Sequence, residues 1–166
     1  NNIYDSIDFY SNMYYHYINY TARRINTMVQ IIAGNKGKGK TKYLLDKANQ
    51  SIKDARGSVV YLDKSSKHMY ELSNKIRLVN VSEYPLYTAD AFIGFMLGMI
   101  SQNRDLEFVF LDSFLKLANL EGHDITSTID LLEKIGDEYK ITFILSVSMD
   151  VSELPENAKK DVVVSL

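Results

Sequence analysis

The segment Gly34-Asn35-Lys36-Gly37-Lys38-Gly39-Lys40-Thr41 carries the sharpest chemical signal in the chain. It satisfies G-x-x-x-x-G-K-[ST] at every fixed position. At ordinary residue frequencies a chain of this length produces such a match by chance on the order of 1% of the time or less. A polyphosphate has to be held by many donors at once, and glycines let a loop wrap closely so that successive backbone N–H groups point inward. A helix opening at Lys40 adds its N-terminal partial positive charge. Lys40 is expected to reach the β- and γ-phosphates and supply the phosphate charge, and the Thr41 hydroxyl to bind Mg²⁺. Lysine recurs at every second position, Lys36, Lys38, Lys40 and Lys42. Lys36 and Lys38 either add charge around the phosphates or point to solvent, and the second is favoured because backbone donors do most of the cradling. Residues Gly34 to Lys42 are thus the nucleotide-binding candidates.

A hydroxyl that holds Mg²⁺ needs an acidic partner at the end of a neighbouring strand. Phe108-Val109-Phe110-Leu111-Asp112 has that form, four apolar residues and then a carboxylate. Thr41 and Asp112 are therefore the candidate metal ligands, a pairing that requires them to meet in space.

The elements that must bring them together are legible as apolar runs. Val29–Ala33, Ser58–Leu62, Arg77–Val81, Glu107–Leu111, Ile141–Val147 and Val162–Ser165 read as continuous hydrophobic strands without in/out alternation, the pattern of strands covered on both faces. Helical spacing separates them: Lys40–Ile52, with Leu44, Leu45, Ala48 and Ile52 on one side; Ala89–Ser101, with Thr88 as N-cap; and Ile125–Glu138. Strand alternating with helix implies a parallel α/β sheet.

With the glycine-lysine loop after one strand and Asp112-Ser113 after another, the sequence resembles the RecA-like branch of P-loop ATPases. The two Walker segments are the specific part of that likeness. It is also similar to small P-loop proteins of Firmicutes, some labelled PilT-like. The resemblance covers residues 28–166. It implies a P-loop NTPase three-layer α/β sandwich with a mostly parallel central sheet of five or six strands, and ATP with Mg²⁺ as ligands. Val59–Asp63 then corresponds to the branch's second strand, followed by a helix, a short strand at Leu78–Val81 and a further helix. Ile141–Ser146 corresponds to the strand whose polar end senses the γ-phosphate. One departure stands out. The branch places a glutamate just past the second strand or beside the Walker B aspartate to orient the attacking water, whereas here Lys64 follows Asp63 and Ser113 follows Asp112. Asp63, Glu71 and Ser146 are the remaining candidates for that role. Because such a group contributes roughly 10²–10⁴-fold, slow hydrolysis with retained binding is expected. No arginine is placed as a finger; Arg104 is nearest, in a turn.

Composition narrows the alternatives. The 166 residues suit one domain, 46% are hydrophobic and 24% charged, and the net charge of −2 gives no strong nucleic-acid signal. There is no cysteine, which excludes disulfide and thiolate chemistry, and His16, His68 and His123 show no metal-ligand spacing and read as solvated or loop residues. No stretch is long enough to span a membrane, and a cytoplasmic protein is the default expectation. Asn, Tyr and Ile fill 15 of the first 27 positions. Residues 1–27 are either an extra helix or a non-native extension ahead of a natural start at Met28, with 28–166 as a single nucleotide-binding domain. The segment 89–101 is apolar all round with Gly94 and Gly98 four apart; it is a tightly packed crossover helix or a face for a protein partner or second subunit. Residues 149–156 read as an acidic connector. The leading expectation is an ATP-binding protein acting as a weak Mg-dependent ATPase (a nucleoside-triphosphate hydrolase) or nucleotide-dependent switch. A small-molecule or nucleotide kinase is the alternative, although five arginines are few for clamping a second phosphate. A non-catalytic nucleotide-binding interaction module is another, and the lack of an Asn-Lys-x-Asp motif disfavours a GTPase.

Overall fold

The computed structural model describes residues 27–166; the reading of residues 1–27 as helix or extension therefore lies outside the described residues, Thr27 apart. The chain alternates strand and helix as β1 (Val29–Ala33), α1 (Lys40–Asp54), β2 (Ser58–Asp63), β3 (Ile76–Asn80), α2 (Ala89–Gln102), β4 (Leu106–Leu111), α3 (Phe114–Leu117), α4 (Thr126–Tyr139), β5 (Thr142–Val147), α5 (Glu156–Lys159) and β6 (Val162–Ser165). The strands form one six-stranded sheet in the order β3-β2-β4-β5-β1-β6, and every pairing is parallel.

Parallel strands need crossover connections, and these divide the helices between the two faces. Alternate residues of β1 show how. Val29, Ile31 and Ala33 join a core with Phe92, Met96, Phe114, Ile129 and Leu132, from α2, α3 and α4. Ile32 joins a second core with Leu44, Leu45 and Ala48 of α1, Tyr61 of β2, Phe110 of β4 and Ile144 of β5. The result is the three-layer α/β sandwich of the P-loop NTPase fold, with both faces of the sheet covered, as the strand composition requires.

Helix α2 begins at Thr88, whose Oγ1 accepts from the Ala91 N–H at 3.1 Å. It packs on the sheet through Phe92, Ile93, Met96 and Ile100. A Cβ at Gly94 or Gly98 would meet nothing within 4 Å. The small-residue spacing thus does not serve a close helix approach among the described residues, and these glycines lie on the exposed face with Leu97.

Two connections differ from expectation. Between β2 and β3 the chain forms turns over residues 64–75, where a helix was expected. Met69 and Tyr70 are exposed there, and Leu72 alone is buried in the second core, so no apolar stripe exists to hold a helix down. The connector at 149–156 contains a 3₁₀ turn, Val151–Glu153, closed by a capping box of Asp150 and Glu153, and it leads into α5. No helix of the described residues is long and apolar enough to cross a membrane.

Candidate functional site

All strands point the same way, so their carboxyl ends share one rim of the sheet, where open α/β folds build clefts. The loop after β1 sits on this rim. Gly37 and Gly39 both have φ of 87°, a left-handed conformation that a side chain resists. Because a Cβ at either position would meet nothing within 4 Å, backbone conformation rather than space is what demands glycine there. Gly39 caps α1, and residues 35–39 are exposed, with their backbone toward the rim. Gly34, by contrast, is buried, its N–H donating to the Met149 carbonyl at 2.9 Å.

Lys40 is the first residue of α1 and is 7% exposed. Its Nζ donates to the Asn35 carbonyl at 2.8 Å, folding back across the loop. Burial lowers its pKa below the usual lysine value, and the charge of Asp112 works against that shift. The adjacent Thr41 donates from Oγ1 to Asp112 Oδ1 at 3.1 Å, joining two residues 71 apart in sequence.

Alternation along the strands explains how Asp112 is held. Tyr61, Phe110 and Ile144 face α1, so residues two further on, Asp63, Asp112 and Ser146, point to the same side at the strand ends. Strand β5 lies between β1 and β4, which sets Ser146 between the loop and Asp112. The Ser146 hydroxyl donates to Asp112 Oδ1 at 2.8 Å and accepts from the Ser113 N–H at 2.7 Å. The Tyr61 hydroxyl donates to Asp112 Oδ2 at 3.2 Å, and burial together with the Asp112 charge raises the phenol's pKa. Ser113 takes φ 55°, a left-handed conformation that costs roughly 1–2 kcal/mol for a residue with a Cβ. The strain turns its amide toward Ser146.

A cleft of ≈560 Å³ opens here, bounded by Lys36, Gly37, Gly39, Lys40 and Thr41 on one side. Asp112, Ser113, Leu115, Lys116, Glu121, Ser146 and Ser148 complete its lining. Of the loop lysines, Lys36 and Lys40 line the cleft, whereas Lys38 and Lys42 are exposed outside it. Gly34 and Asn35 do not line the cleft. The donor set of Thr41 hydroxyl and Asp112 carboxylate consists of hard oxygens, as Mg²⁺ requires.

The water-orienting candidates separate. Ser146 lines the cleft. Asp63, the last residue of β2, is 7% exposed and stands beside Asp112, not in the cleft wall. Its oxygens accept from the Lys64 N–H at 2.6 Å and from the Ser65 hydroxyl at 3.4 Å. Burial first, and then the Asp112 charge, raise its pKa above the ordinary carboxylate range. Glu71 is exposed, outside the cleft, and bound to His68 Nδ1 at 2.6 Å. His68 lies in a loop, as expected, but is not solvated: its side chain is 15% exposed and its Nε2 is buried without a hydrogen-bond partner. Arg104 is exposed just before β4, at the opposite end of the strand from Asp112.

Sequence reading missed Tyr61, Ser113, Lys116, Glu121 and Ser148. Only Ser113 had a signal, its place directly after the strand-end aspartate.

No protein-family model matches the chain, and no curated protein sequence matches it. Among solved structures it is similar to the flagellar accessory protein FlaH from Methanocaldococcus jannaschii, with 14% identity and a TM-score of 0.52, over 77% of this chain and 63% of FlaH. It is also similar to PCH-2 of C. elegans, with 13% identity and a TM-score of 0.46, over 93% of this chain and 41% of that one. The chain thus spans less than two thirds of either protein. The likeness to FlaH supports the fold assigned above.

Proposed function

We propose that this chain binds a magnesium nucleoside triphosphate, ATP by resemblance, in the cleft behind Thr41, and that it works as a slow ATPase or a nucleotide-dependent switch of the RecA-like type. The observation that carries the reading is the 3.1 Å contact between Thr41 and Asp112, made in the lining of a cleft that Lys40 also lines. Residues on three separate segments converge on one small volume, and their chemistry is that of a phosphate and metal site.

In this reading the loop amides and the α1 N-terminus receive the phosphates. The Lys40 ammonium leaves the Asn35 carbonyl and pairs with the β- and γ-oxygens. Thr41 and Asp112 hold Mg²⁺, which would neutralise charge developing between those oxygens. Ser146, donating to Asp112 and accepting from Ser113, links the metal ligand to the strand between, where a change at the γ-position is felt first. Asp63 and Glu71 lie outside the cleft, and among the described residues the lining carboxylate besides Asp112 is the exposed Glu121. Hydrolysis is therefore slow. The kinase reading is weaker because no arginine among the described residues lines the cleft to clamp a second phosphorylated substrate.

A thermal-shift panel of ATP, GTP and AMP with Mg²⁺ on the full chain tests this. Triphosphates should stabilise the wild type and leave Lys40→Ala unmoved. Stabilisation by AMP equal to that by ATP would count against a triphosphate site.

A further inference from the structure

We propose that Asp63, His68 and Asp112 form a second divalent-cation site that selects a transition metal, Mn²⁺ or Zn²⁺, over Mg²⁺. One ligand atom from each of the three residues lies within 4.8 Å of the other two. Small side-chain adjustments close such a triangle around one ion with bonds of about 2.0–2.2 Å.

The backbone builds this triangle from fixed elements. Strands β2 and β4 are neighbours with Leu62 paired to Leu111, so Asp63 and Asp112 leave adjacent strand ends on the same face. The Asp112 N–H donates to the Leu62 carbonyl at 3.0 Å, which locks their relative height. His68 comes from the turn that follows β2, and α1 pins that turn. Asn49 donates to the Glu71 carbonyl and accepts from the Ser73 N–H, both at 2.8 Å. Leu72, buried in the second core, anchors it again.

Two independent features indicate a cation rather than a packing accident. The first is the state of His68. Glu71 Oε1 takes its Nδ1 at 2.6 Å, which leaves Nε2 buried and without a partner. A carboxylate fixing one imidazole nitrogen so that the other presents its lone pair inward is the usual support of a metal-bound histidine. The second is charge. Two buried carboxylates stand side by side, and among the described residues no lysine or arginine is ion-paired with either. Lys40, near enough to sense Asp112, is bonded to Asn35.

The ligand types choose the metal. Mg²⁺ and Ca²⁺ prefer oxygen donors throughout, whereas one imidazole with two carboxylates suits Mn²⁺ or Zn²⁺ and leaves positions open for water or a phosphate oxygen. The site shares Asp112 with the nucleotide reading but does not rest on it, since it uses no residue of the glycine-lysine loop.

The test is a titration of metal-free full chain with MnCl₂, without nucleotide, following free Mn²⁺ by electron paramagnetic resonance and adding ZnCl₂ as competitor. One Mn²⁺ per chain should bind, Zn²⁺ should displace it, and a tenfold excess of Mg²⁺ should not. His68→Ala and Asp63→Asn should each weaken binding at least tenfold, with unchanged circular dichroism, and Glu71→Gln should weaken it by about tenfold. Absence of Mn²⁺ binding, or equal binding by His68→Ala, overturns the proposal. Loss of binding in Thr41→Ala with retention in His68→Ala also overturns it, because the ion would then belong to the loop. A chain that bound Mn²⁺ through His68 but ignored ATP would uphold this site while sinking the nucleotide reading.

Discussion

Replacing Asp112 by asparagine removes one charge and one acceptor from the centre of the site while keeping its shape. In the native chain Oδ1 accepts from Thr41 and Ser146, and Oδ2 accepts from Tyr61. An asparagine offers a single acceptor oxygen, so at least one of these hydroxyls must turn or lose its bond, at a cost of about 1–3 kcal/mol if it is left unpaired. Against this, the charge that helps raise the pKa of Asp63 disappears, and the strain of holding two buried carboxylates together is relieved. The two terms are of similar size, so the ligand-free variant should lie within about 1 kcal/mol of wild type, or ~2–4 °C in Tm for a chain of this size. The bound state differs. At a MgATP concentration 100 times Kd the native chain gains about 2.7 kcal/mol, near 5–10 °C. Loss of a group that organises the metal weakens binding by about 10–100-fold, which leaves the variant with about 0.4–1.4 kcal/mol, roughly 1–5 °C. Scanning fluorimetry of both proteins with ATP, with Mg²⁺ or EDTA, measures each term. Equal MgATP shifts in the two proteins would refute the reasoning. So would a ligand-free variant melting more than about 10 °C lower, since the role of Asp112 would then be structural.

Other consequences are as definite. Asp161 is 1% exposed, and among the described residues no donor reaches either of its carboxylate oxygens. Burial first, then the charge of the Glu133 carboxylate, push its pKa up to about 7. A folded-state pKa above the unfolded one means that its contribution to stability is complete below about pH 4 and is lost as pH rises through 7. Asp161→Asn should therefore have little effect on Tm at pH 4 and raise Tm at pH 8.5; a pH-independent difference would contradict this. Gly136→Ala sets helix propensity, a gain of about 1 kcal/mol, against a Cβ placed 2.5 Å from Met28 Cβ and 2.7 Å from the Ile141 carbonyl. Overpacking of that kind costs about 1–3 kcal/mol, so urea denaturation should show a net loss. Steady-state ATP hydrolysis by the isolated full chain should stay below about 1 s⁻¹, under the usual range for competent enzymes, and a faster rate would show that a water-orienting group was overlooked.

Much of this architecture was readable because its determinants are local. The strands β1 to β6 were found to within about a residue, since a strand buried on both faces has to be apolar throughout. The loop was readable because its glycines answer a backbone requirement, visible as positive φ at Gly37 and Gly39. The short helix α3 was not, because four residues carry no period. Nor was the Tyr61 bond to Asp112: Tyr61 lies 51 residues away, and only the strand order brings it within reach. The case of His68 shows the limit most clearly. In the sequence it sits in a polar stretch with no metal-ligand spacing; in the fold, Asn49 and Leu72 tie that stretch down and turn the imidazole toward two strand ends.

The nucleotide site stands or falls with the grip of residues 34–41 on a triphosphate. Isothermal titration of MgATP into the full chain measures this directly. Binding should be saturable and one-to-one, tighter than about 0.1 mM, and weakened at least ~30-fold in Lys40→Ala, a difference of about 2 kcal/mol. No heat of binding at millimolar MgATP, or the same isotherm from the variant, would contradict it.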